Sequence, residues 1–183
     1  MNPYLALMPR AEKVDSVKKI AGRTIDEILS KESKLDVYAL LGAIDILVGS
    51  KICRSLQSSP PERVVFALAW LAREVGTGGF RQYFINSAGD FWKDVEFGLR
   101  KIKDEPGLEL FLKAISIFPK GAPSQDRASR LAQLSVLEES DEDKVSEHLN
   151  SVTAAYFRNP FPNWAALLTF VKNHKDEFDF ENA

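Results

Sequence analysis

Residues 59–75 constrain the chain most: Ser-Pro-Pro-Glu-Arg-Val-Val-Phe-Ala-Leu-Ala-Trp-Leu-Ala-Arg-Glu-Val. Ser59 stands at an N-cap position, Pro60 at the first helical position and Glu62 three residues on, which is the pattern of a capping box with its preferred proline. From Val64 to Ala72 every residue is apolar, so a helix here has no polar face and has to be covered on all sides. The pattern predicts a central buried helix over 60–75, closed at Gly76 where a positive φ costs glycine little. A chain that must surround such a helix needs several others around it.

The rest of the sequence supplies them. Helical periodicity runs over 11–30 (Val14, Val17, Ile20, Ile25, Ile28) and over 35–48 (Leu35, Tyr38, Leu41, Ile44), with Gly49-Ser50 as an interruption. A short aromatic helix is expected at 80–87 and another at 91–103, broken at Pro106-Gly107. Further stripes lie at 108–118, at 125–138 (Leu131, Leu134, Leu137), after a Ser140 cap (Val145, Leu149, Val152, Tyr156), and at 163–175. No alternating strand pattern and no repeat of fixed period occurs. The expected architecture is all-α: a single domain over 1–183, a bundle of about nine helices around the 60–75 helix. Helices at 11–57 would flank it on one side, and a helix with an acidic tail at 163–183 on the other.

Composition then excludes several functions. One cysteine, Cys53, allows no internal disulfide, which points to a reducing, cytoplasmic setting. The first ten residues lack the basic and apolar regions of a signal peptide, and no apolar run reaches a membrane span. His148 and His174 are too far apart in sequence from each other and from Cys53 for a metal-ligand spacing, so no metal and no cofactor is expected. His148 should edge the core, and His174 should sit at a helix C-terminus. No catalytic or phosphate-binding motif is present, which argues against an enzyme. A net charge of −2 gives no bulk attraction to nucleic acid or membrane. Lys13, Lys18, Lys19, Arg23, Lys31 and Lys34 are interleaved with Glu12, Asp15, Asp26 and Glu27, as on a mixed solvated helix, so direct nucleic-acid binding is not expected.

Acid is concentrated late in the chain, at Glu138, Glu139, Asp141, Glu142, Asp143 and Glu147, and again at Asp176, Glu177, Asp179 and Glu181. Carboxylates three or four apart on a helix lie about 5–6 Å from one another, a local approach to phosphate spacing. The tail reads as solvated.

The most specific segment is Gly76-Thr77-Gly78-Gly79-Phe80-Arg81-Gln82-Tyr83-Phe84-Ile85-Asn86-Ser87-Ala88-Gly89-Asp90. Phe80, Tyr83, Phe84 and Ser87 share one helical face. Gln82 and Asn86 are neighbours on another, placed to close unpaired backbone groups of a glycine corner. Together with Glu62-Arg63 through Glu74-Val75, and with Phe118-Pro119, Gly121, Pro123 and Asp126-Arg127 downstream, this segment resembles a helical family named after a bacterial DNA mimic protein. The likeness covers about residues 60–158 and rests on Gly78, Gly79, Phe80, Gln82, Phe84, Asn86 and Gly89. The sequence departs from the family pattern at Gly76 and Thr77, where two Asn are usual.

The resemblance implies a helical fold and a non-enzymatic interaction module. Its protein partner would be a transcription factor or other DNA-binding protein, met by an acidic surface in place of DNA. The residues for that surface are Glu138, Glu139, Glu142, Asp143 and Glu147. The alternative is an enzyme or small-ligand binder using Gln82, Asn86 and Asp90 in a polar pocket beside the corner.

Overall fold

The computed structural model describes residues 24–53 and 57–180. The described residues form seven α-helices and no strand: α1 (Ile25–Leu29), α2 (Val37–Cys53), α3 (Pro60–Ile85), α4 (Trp92–Lys101), α5 (Glu105–Ile115), α6 (Arg127–Arg158) and α7 (Trp164–Asn173). Short 3-10 turns lie at Ser87–Phe91, Pro119–Gly121 and Lys175–Glu177. The all-α expectation holds, but the count of about nine helices does not. The expected pairs 60–75 with 80–87, and 125–138 with 141–156, each run on as one bent helix. Val14, Val17, Ile20, Lys13, Lys18, Lys19 and Arg23 lie outside the described residues.

α3 begins as its sequence demands. Ser59 Oγ accepts from Glu62 N at 3.3 Å, and Glu62 Oε2 accepts from Ser59 N at 2.8 Å. Val64 through Ala69, Leu71 and Ala72 are buried. The shell around α3 is built from α2, α4, α6 and the Ser87–Phe91 turn, with a smaller contact from α7. The core is aromatic at its centre: Phe84 lies 4.9 Å from Phe118, Tyr83 lies 5.3 Å from Phe84, and Tyr156 lies 5.2 Å from Phe161, centroid to centroid and near edge-to-face.

Four expected helix boundaries are corrected, each for a local reason. Gly49-Ser50 does not interrupt α2, because one glycine costs a helix only about 1 kcal/mol and the burial of Ile44, Leu47 and Val48 just before it outweighs that. α3 continues past Gly76 and bends at Gly78 and Gly79 instead. Pro106-Gly107 opens α5, where Asp104 caps it by accepting from Gly107 N at 3.0 Å and proline suits the first turn. In α6 the bend is at Asp141, whose extended backbone (φ −165°, ψ 84°) frees its Oδ1 to accept from Lys144 N at 3.0 Å. Asp141, not Ser140, caps the second half.

The acids of the tail, Asp176, Glu177 and Asp179, are exposed, as expected of a solvated tail, but the segment that carries them is anchored to the core. Phe178 and Phe180 are buried, and between them the backbone of Asp179 is held on both sides. Asp179 N donates to Glu62 Oε1 at 3.1 Å, and Lys51 Nζ donates to Asp179 O at 2.6 Å. Lys51 also reaches Glu62 Oε1 and Oε2 at 2.7 and 2.9 Å, so a buried ion pair is completed by the tail backbone. Lys175 to Asp26 and Lys172 to Glu32 fasten the same end to the α1 region.

A second ion pair, Arg73 Nη2 to Asp45 Oδ2 at 2.7 Å, joins α3 to α2. Burial holds the Asp45 carboxyl above its usual 3.8, against the opposing pull of Arg73. The folded state therefore binds this proton more tightly than the unfolded chain. Its contribution to stability is fully present below pH 3.8 and is lost as pH rises through the raised value. The stability difference between wild type and Asp45→Asn should thus move in favour of wild type as pH falls from about 7 to about 4. Urea midpoints of both proteins across that range test this, and parallel pH profiles would refute it.

Candidate functional site

The glycine corner is a bend inside α3. Gly79 has φ 75° and ψ −177°, a combination that only glycine adopts readily. A Cβ there would also stand 2.9 Å from Thr153 Oγ1, the hydroxyl that accepts from Phe80 N at 3.0 Å. Gly78 has no side chain because the Gln82 amide occupies that space. Gly79→Val should therefore destabilise by about 1–3 kcal/mol from the backbone alone, with the Thr153 contact adding to it. Gly121 shares a positive φ of 65° but faces open space, so Gly121→Val should cost less. Paired urea melts decide the order, and a Gly79→Val protein as stable as wild type would refute the tight bend.

The two amides of the motif do not cap backbone groups, as the sequence suggested. Gln82 Nε2 donates to Glu74 Oε2 at 2.7 Å and to Thr77 Oγ1 at 2.8 Å, and Asn86 Nδ2 donates to the same Glu74 oxygen at 2.8 Å. One carboxylate on the first arm of α3 thus ties down both amides of the second. Thr77 remains helical, its hydroxyl donating back to Arg73 O at 2.9 Å, so its departure from the usual Asn needs no left-handed backbone.

Behind the corner lies Arg130, fully buried. Its Nε donates to Phe84 O at 2.7 Å, and its Nη2 donates to Asn86 O and Asp90 Oδ1, each at 2.8 Å. Its Nη1 donates to Ser124 O at 2.7 Å. Gly89 is required because a Cβ there would fall 2.7 Å from Arg130 Nε. Phe80 and Phe84 are buried with Tyr83, whereas Ser87 is exposed because the helix ends at Ile85. The motif residues Gly78, Gly79, Phe80, Gln82, Phe84, Asn86 and Gly89 therefore make one bent corner. The depression beside it, about 170 Å³, is lined by Thr77, Gly79, Arg81, Asn150, Thr153 and Phe157. Gln82, Asn86 and Asp90, the groups the alternative reading needs, are engaged elsewhere.

The acidic residues sit across the bend of α6. Over 138–147 six carboxylates face one lysine. Glu138 pairs with Arg81 at 3.0 Å. Glu139, Glu142, Asp143 and Glu147 are exposed and, among the described residues, have no partner. Asp143 and Glu147 lie one turn apart on one unbroken helical stretch, where like charges destabilise a helix by a few tenths of a kcal/mol.

His148 is half-buried, with Nε2 2.9 Å from Lys113 O, and His174 ends α7 with Nδ1 2.7 Å from Glu177 Oε1. Among the described residues no group of three or more His, Cys, Asp or Glu is placed to hold a metal ion. No helix there is long and apolar enough to cross a membrane. Sequence reasoning did not single out Arg130, or the roles of Glu74 and Lys51. Arg130 gave one signal: it lies four residues before the buried Leu134, so it shares the core face of its helix.

No curated protein and no solved structure matches the chain. A family model does, that of the DMP19-like proteins, over residues 57–174. The match takes in α7, beyond the 60–158 stretch that carries the motif resemblance, and does not extend to α1, α2 or the Phe178–Phe180 segment. The match spans more than half of the chain and includes the bent corner, the buried arginine and the acidic helix, and the chain therefore belongs to the DMP19-like protein family.

Proposed function

We propose that the chain is a non-enzymatic interaction module, working in the reducing interior of the cell. It offers the acidic face of α6 to the basic, DNA-contacting surface of another protein. The observation that carries this reading is the set of exposed carboxylates at Glu139, Glu142, Asp143 and Glu147, which have no ion-pair partner among the described residues. Their mutual repulsion works against the helix that holds them, and the run contains a single lysine, Lys144, to offset it. Membership of the DMP19-like family is compatible with the same reading, a DNA-mimic role toward a DNA-binding protein. Glu138, paired with Arg81, belongs to the edge of the surface. A cationic protein surface would pair with the free carboxylates, and such contacts weaken as salt rises.

The test uses the full chain as bait in an extract of its own host. The expected capture is a stoichiometric DNA-binding protein, released both by duplex DNA and by salt. The variant Glu139→Lys/Glu142→Lys/Asp143→Lys/Glu147→Lys, checked for an unchanged melt, should lose it, with affinity falling about 1,000-fold if each exposed pair contributes near 1 kcal/mol. Undiminished capture by that variant would refute the surface.

A further inference from the structure

The extended backbone at Asp141 does more than cap a helix. It opens a cleft of about 310 Å³ between the end of α5 and the bend of α6. Ile117 and Leu137, both half-buried, give it an apolar lining, with Ser140, Asp141, Lys144 and His148 around them. Several of its polar groups are already committed: Asp141 Oδ1 to Lys144 N, His148 Nε2 to Lys113 O, and Ser116 Oγ to Lys113 O at 2.7 Å. Roughly half of the surface left open in the cleft is apolar, from Ile117, Leu137 and Val145, enough to receive one uncharged side chain. Carboxylates flank it along the chain, Glu139 just before Ser140, and Glu142 and Asp143 just after Asp141.

We infer that this cleft is an anchor pocket, taking one aliphatic or aromatic side chain from a cationic helix of the partner protein while neighbouring lysines or arginines of that helix meet Glu139, Glu142 and Asp143. The inference rests on the acidic-surface reading above and adds to it the shape of the partner. Charge complementarity selects a basic segment. The apolar lining selects one uncharged side chain within it. Basic residues three and four positions either side of that anchor share its helical face, so one amphipathic helix meets both requirements. A DNA duplex has no side chain to insert, so this contact belongs to the protein partner alone.

The test uses two synthetic cationic helical peptides of equal charge, one with a single Leu among its Lys and Arg residues and one with Ala at that position. Binding to the full chain is followed by fluorescence anisotropy at low salt. The Leu peptide should bind at least about tenfold more tightly, the gain from burying one such side chain. Ser140→Trp and, from the opposite wall, Ser116→Phe fill the cleft without altering charge. Either should abolish the Leu advantage and leave the weaker, salt-sensitive binding of the Ala peptide intact. The fourfold lysine variant should weaken both peptides alike. Equal binding of the two peptides, or a Leu advantage that survives both filling variants, would overturn the anchor pocket while leaving the acidic surface standing. Failure of both cationic peptides to bind at all would overturn both.

Discussion

Arg130→Met should lower the stability of the fold by about 3–5 kcal/mol, the range seen when one member of a buried charged network is removed. The guanidinium meets Phe84 O, Asn86 O, Ser124 O and Asp90 Oδ1 with four bonds of 2.7–2.8 Å. A methionine fills much of the same volume but donates to none of them. Three buried or part-buried carbonyls then lose a donor that water cannot easily replace. Arg130→Lys should recover little, because an ammonium group cannot span both sides of the corner as the planar fork does. Urea melts of the three proteins measure this. A methionine variant within about 1 kcal/mol of wild type would show that the corner holds itself without the arginine.

A comparable loss is expected at the other end of α3. Glu62→Gln keeps the shape of the capping box but leaves the Lys51 ammonium buried without its counter-charge, again at a cost of about 3–5 kcal/mol. The double variant Lys51→Met/Glu62→Gln removes the stranded cation and should recover most of that loss. The recovery separates a charge effect from a packing effect, since a cavity or clash at position 62 would persist in the double variant. Additive losses in the cycle would show that the two residues do not act as a pair.

These two residues also show what a sequence can reveal. Glu62 was legible as a capping partner because Ser59 is three residues away and the pattern is local. Its pairing with Lys51 and with the backbone of Asp179 was not, since nothing local marks a carboxylate that serves three partners. Glu74 was missed for a similar reason. The bend at Gly79 brings Gln82 and Asn86 back onto it, and helical periodicity cannot be carried through a bend. The Ser140 cap was wrong by one residue, because two adjacent side chains can both cap and the backbone chose the second. Phe80, Tyr83 and Phe84 were placed correctly, since a buried aromatic face needs only their spacing. Whether an exposed carboxylate is paired depends on what reaches it from elsewhere in the fold. Arg81 reaches Glu138 from 57 positions earlier in the chain, and nothing in the order of residues signalled it.

The contact between Lys51 and Asp179 joins positions 128 residues apart. During synthesis the lysine and Glu62 emerge close together, long before residues 178–180 exist to cover them. Until then the ion pair is open to water and the apolar seats for Phe178 and Phe180 are empty. Once α7 has packed against α2, the strap is a short terminal segment held by two rings and the bonds to Asp179, so it should settle late and lift early. Amide exchange at Asp179 should therefore run faster than in the centre of α3, and would report the opening of that seam separately from the unfolding of the whole.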